Sequence, residues 1–159
     1  MARDARFLSR AERLLPFVAG AVLVAGVLVF FLNRGGGSGA AREVPVDPQA
    51  VAVARQFIHD AVLRKNLARA YRNVTADLRR GFSLARWARG DIPVVPYLGK
   101  DVTVAPFVKK VSFADQVVLV VALRAPGADP ASFRIALVKR GGRWLVSSWV
   151  PSGALGPGG

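Results

Sequence analysis

Among side chains able to exchange a proton near neutral pH, this sequence has one imidazole, His59, and no thiol. A two-histidine metal site within one chain is therefore excluded, as are thiolate metal sites, a cysteine nucleophile and a disulfide framework. A histidine–carboxylate dyad has one conceivable centre. The nearest acid, Asp60, follows directly, and neighbours on a regular α-helix point about 100° apart. No dyad is expected between them, and His59, at the border of an apolar stripe, reads as a boundary or surface histidine. The remaining carboxylates are scattered one at a time, leaving no pair for general acid and base work. The run GGGSG precedes a polar linker instead of following a strand, so it is not a phosphate-binding loop. Neither a metal nor another cofactor is expected.

The strongest polar feature is basic. Arg64, Lys65, Arg69, Arg72, Arg79, Arg80, Arg86 and Arg89 fall within one stretch opposed only by Asp77. They form either a solvated face or a docking surface for anionic lipid head groups or an acidic envelope protein. Net charge over the whole chain is +13. Such charge also suits nucleic acid, but no base-stacking aromatic motif or DNA-reading module is present, and the topology argued next places the basic residues across a membrane from DNA and RNA. No nucleic-acid partner is expected.

Leu14 to Leu32, LLPFVAGAVLVAGVLVFFL, contains no charged residue. As a helix it would measure roughly 28 Å, close to the roughly 30 Å hydrocarbon core of a bilayer. We read residues 14–32 as a single membrane span. Arg3, Arg6, Arg10 and Arg13 precede it, whereas only Arg34 and Arg42 follow closely; the positive-inside bias puts residues 1–13 in the cytoplasm as a short stub and the rest outside an inner membrane. Ser38-Gly39-Ala40 offers small residues to a signal peptidase, but the apolar run is longer than a usual signal region of about 7 to 15 residues, so an uncleaved anchor is expected. Ala21 and Ala25 make a small-xxx-small patch on which a second span could pack.

Residues 33–47, with GGGSGAA, read as a flexible linker. Asp47-Pro48 is an N-cap followed by proline at the first helical position. From there to Lys65, Val51, Ala54, Ile58, Ala61 and Val62 recur at helical spacing, with Phe57 at the stripe's edge and Gln56, Asp60 and Arg64 outside it. A second short helix carries Leu67, Ala70, Tyr71 and Val74. Thr75 caps a third that ends at Gly81, and Ser83 a fourth that ends at Gly90. After Pro93 and Pro96 the period becomes two, predicting strands over 102–113 (bent at Pro106), 116–124, 131–140 and 143–150. Gly141-Gly142 marks a two-residue hairpin. Its register sets Arg140 against Arg143, Leu137 against Val146 and Ile135 against Ser148, so that Phe133, Ile135, Leu137, Trp144, Val146 and Val150 share one face. Residues 152–159, ending in ALGPGG, have nothing to bury and are expected to be disordered.

The fold class is α+β: a transmembrane helix, then helices packed on a curved antiparallel sheet over residues 48–151. The order of a long helix, the short helices of LARAYRNVTADLRRGFSLARWARGDIPVVPY and strands closing with VKRGGRWLVSSWVPSG resembles the cone-shaped nuclear-transport-factor-two-like fold. The architecture resembles bacterial single-pass proteins that place this cone outside the membrane, including bitopic subunits of type IV secretion machines and membrane proteins of lipid-uptake operons. The resemblance implies either an interaction or assembly subunit of an envelope complex, or a small-ligand binder or isomerase-like and cyclase-like enzyme using the cone interior. For the second alternative it points to Tyr71, His59, Trp87, Phe133 and Trp144 as pocket residues, although tyrosines and tryptophans at such positions are more commonly packing residues. No residue is assigned a catalytic role.

Overall fold

A computed structural model describes residues 42–152. The stub, the span at 14–32, most of the linker and all of the tail after Ser152 lie outside the described residues, so those expectations are not addressed by it. Among the described residues no helix is long and apolar enough to cross a membrane.

Helix α1, Pro48–Phe57, starts where expected. The Asp47 side chain accepts a hydrogen bond from Gln49 N, and Pro48 occupies the first turn. Ala50, Ala54 and Phe57 form its buried stripe. The helix does not continue to Lys65 as an α-helix. A π-helical turn, Ile58–Val62, follows directly, and Leu63 N bonds Ile58 O five residues back. Widening the turn brings Ile58, Asp60, Ala61 and Val62 all into the interior. Asp60, expected outside the apolar face, is therefore fully buried. The segment ends at Arg64, which holds a left-handed φ of 58°.

Three short helices follow, two with the predicted caps Thr75 and Ser83 and one capped by Asn66, read from the sequence only as an interruption. In α2, Leu67–Arg72, Asn66 accepts from Arg69 N; in α3, Ala76–Arg79, Thr75 accepts from Leu78 N; in α4, Leu84–Ala88, Ser83 accepts from Arg86 N. Helix α3 closes with Arg80 at φ 49° in the left-handed region.

The sheet contains β1 (Thr103–Val104), β2 (Val108–Ser112), β3 (Gln116–Ala125), β4 (Ala128–Arg140) and β5 (Arg143–Pro151). Strands β1 and β2 both lie antiparallel along β3, which pairs with β4, and β4 with β5. They occupy one lane interrupted around Pro106, as the predicted bend requires. Gly141 and Gly142 both have positive φ, the geometry of a tight hairpin turn matched to strand twist.

That hairpin sets Arg140 opposite Arg143 and Leu137 opposite Val146. The next expected pair fails. The register shifts between Ala136 and Leu137, so Ile135 faces Trp149 instead of Ser148. Ser147 is the extra residue of a β-bulge, and one inserted residue reverses the side-chain alternation beyond it. Trp149 consequently joins Phe133, Ile135, Leu137, Trp144 and Val146 in the interior, in the place expected for Val150.

Helices α1 and α3 pack on this inner face, and α2 packs on the π turn and on α4. Phe133 stacks on Trp149 with centroids 4.5 Å apart, Phe57 meets Trp149 at 5.9 Å, and Tyr97 meets Phe133 edge-on at 6.3 Å. The chain after α4 closes this end through its backbone: Tyr97 N bonds Val62 O, and Trp149 Nε1 donates to Val95 O.

The opposite face is also apolar. Val111, Val118, Ala136 and Ser148 line up across the four lanes, and so do Val108, Val120, Arg134 and Val150. None belongs to the helix-covered core.

Candidate functional site

The five pocket candidates do not converge. Tyr71 and Trp87 meet between α2 and α4 as an edge-to-face pair, 5.6 Å between centroids. Phe133 lies in the aromatic stack with Trp149. Trp144 sits at the start of α1, where its Nε1 donates to Asp47 Oδ2 at 2.8 Å. That hydrogen bond, with the one from Gln49 N and the nearby Lys139 ammonium, holds the Asp47 carboxyl below its ordinary range. Trp144 is thus a clamp that fastens the N-terminus of α1 to β5. Trp87 is fully buried and its indole N–H has no partner among the described residues.

His59 is exposed, as expected, but a contact ruled out on a regular helix is made. Its Nδ1 lies 2.9 Å from Asp60 Oδ1. The π turn alters the angle between adjacent side chains, so that the histidine is at the surface and its neighbour lies beneath it. Arg69 reaches back from α2 and donates Nε to Asp60 Oδ2 and Nη2 to Oδ1, both at 2.6 Å. Burial pushes the Asp60 carboxyl up, and the Arg69 and His59 hydrogen bonds outweigh it and leave it below its ordinary value. The same pairing raises the Arg69 guanidinium.

Chemically, a carboxylate can only accept, so this cluster makes Nδ1 of His59 the donor to Asp60, with the imidazole itself 58% exposed. No hydroxyl among the described residues hydrogen-bonds that imidazole, so the arrangement holds a histidine without presenting it to a nucleophile. Its structural effect is plainer: a bidentate, charge-assisted fork ties the π turn to α2. Among the described residues no three His, Asp or Glu side chains gather as a metal site.

The eight basic residues divide evenly. Arg69 is bound to Asp60; Arg79 donates to Tyr71 O and lies 4.2 Å over the Tyr71 ring; Arg86 pairs with Asp91 and covers Phe82; Arg64 donates to Val94 O. Burial lowers the Arg64 guanidinium. These four brace the short helices. Lys65, Arg72, Arg80 and Arg89 are exposed and make no ion pair among the described residues, so the uncommitted cations are half of those the sequence offered.

Sequence reasoning missed two features. The Asp60–Arg69 pair depends on a π turn for which the helical pattern gave no sign. The outer sheet face did leave a signal: VVLVVAL in β3 is apolar at consecutive positions, a pattern of strands covered on both faces. In comparisons with known proteins the chain matches no family model, no curated protein and no solved structure.

Proposed function

We propose that this protein is a non-catalytic interaction or assembly domain of a bacterial envelope complex, anchored by residues 14–32 in the inner membrane with its N-terminus in the cytoplasm, and that its outer domain is a nuclear-transport-factor-two-like cone. The observation that carries the reading is the packing of the interior by Phe57, Tyr97, Phe133 and Trp149, while the one polar cluster, His59, Asp60 and Arg69, is tied up in its own hydrogen bonds. A domain that fills its interior and leaves an apolar sheet face and free cations outside is built to meet a surface.

The test is crosslinking in native membranes, then purification in mild detergent and mass spectrometry. Specific envelope proteins should copurify; recovery of the chain alone would overturn the reading. Protease added to intact spheroplasts should digest residues 42–152, and protection would reverse the topology.

One observation favours the alternative, a small-ligand binder. The unpartnered Trp87 indole N–H beside Tyr71 is a buried donor that a small polar ligand would satisfy. In that case a compound that quenches Trp87 fluorescence should bind less well to Trp87→Phe, and equal affinity removes the site.

A further inference from the structure

We propose that the outer face of the sheet is the docking surface, and that its occupant is a protein segment with an apolar centre and carboxylates. This rests on the interaction-domain reading and names the partner class for it. Across the face Val118, Val120 and Ala136 are half-buried with no helix above them among the described residues, and Val108 is 57% exposed. Four lanes at about 4.8 Å and nine residues of β3 at about 3.3 Å give a patch of roughly 570 Å². That approaches the lower end of what one partner contributes to a specific interface.

Charge selects the occupant. The rows that carry the valines also carry Arg134 at the centre, with Arg124 near one end and the opposed Arg140 and Arg143 at the other, and no carboxylate stands among them. A second copy would set arginines against arginines, at a cost of several kcal/mol for closely juxtaposed like charges. The remaining choices are an acidic protein surface and an anionic bilayer. Interfacial membrane binders insert Trp, Phe or Leu. Here the tryptophans point inward and the central rows hold only Val, Ala and Ser around Arg134, a surface on which a strand or helix lies closely but which has no large apolar side chain to insert. Arg134 would then pair with a carboxylate enclosed by valines, which gives the contact its register.

The experiment places p-benzoylphenylalanine at Ser148 or Ala122 on this face, and at Ala85 on α4 as the helix-side control, in the full chain in native membranes. The expected result is a discrete protein adduct from Ser148 and Ala122 but not Ala85, whose crosslinked segment contains Asp or Glu. Arg134→Glu should lower adduct yield about tenfold, the scale of one lost interfacial charge contact. Should Arg134→Glu impair folding, the paired Arg140→Glu and Arg143→Glu change in the exposed turn should also weaken it, with circular dichroism unchanged. An adduct of doubled mass, an adduct within the same chain, or a lipid adduct overturns the assignment. Protein adducts from Ala85 alone would overturn this face while sparing the interaction-domain reading. No protein adduct from any position, with none copurifying, would defeat both.

Discussion

Replacing Asp60 by Asn separates charge from shape at the best-defined polar cluster. The carboxylate is fully buried and receives the Arg69 fork at 2.6 Å on both oxygens, with His59 as a third partner. Hydrogen bonds to a charged group contribute about 1.5–3 kcal/mol each, and breaking a buried pair costs about 3–5 kcal/mol. The Arg69 side chain is 46% exposed, so water screens the pair and rehydrates the arginine once it is freed. The expected loss is accordingly about 2–3 kcal/mol, or about 10 °C in the unfolding midpoint for a domain of this size. Urea unfolding followed by tryptophan fluorescence measures it. The pH dependence is the sharper check. Because the folded carboxyl lies below its ordinary 3.8, its contribution is complete above that value and disappears as pH falls through the folded pKa. The gap between wild type and Asp60→Asn should therefore be constant from pH 7 to 5 and close in acid below pH 3.8. A loss under about 0.5 kcal/mol, the range of ordinary surface changes, or a gap that does not close in acid, would refute the assignment of the fork to stability.

Asp47→Ala should fray the start of α1 and free Trp144, read as a red shift in tryptophan emission and a midpoint lower by about 5 °C. Gly99→Ala places a Cβ 2.7 Å from that of Ala125, so the loop or the β3 end must move, costing about 1–3 kcal/mol by urea titration. Arg80→Gly relieves a left-handed residue at φ 49° and should raise stability by about 0.5–1 kcal/mol. Tyr71→Phe keeps the ring against Trp87 and under Arg79, so stability should change by less than about 0.5 kcal/mol, whereas Tyr71→Ala should cost about 2 kcal/mol.

Local chemistry carried most of the secondary structure. Asp47, Thr75 and Ser83 are each the N-cap their residue types predict, Pro106 interrupts its lane, and Gly141-Gly142 fixes the last hairpin, because caps and tight turns are decided by contacts within a few residues. The α+β class follows from the change of hydrophobic period after Pro96. Three outcomes needed the tertiary structure. The π turn sends Asp60 inward because Arg69, nine residues on, supplies the compensating charge; a periodicity template assigns a lone aspartate to solvent. The bulge at Ser147 exchanges Val150 for Trp149 in the core, since a single inserted residue inverts a strand's faces and Phe57 and Phe133 stand ready to pack the larger ring. Half of the basic stretch is engaged in bracing contacts, Arg69 and Arg86 while still exposed, because charge counted along a chain carries no information about which carboxylate or aromatic face lies opposite. The sequence alone determined where the capped helices start and where the last hairpin turns; long-range packing decided how far the first helix stays α-helical, which face of each element looks in, and with it which residues remain for a partner.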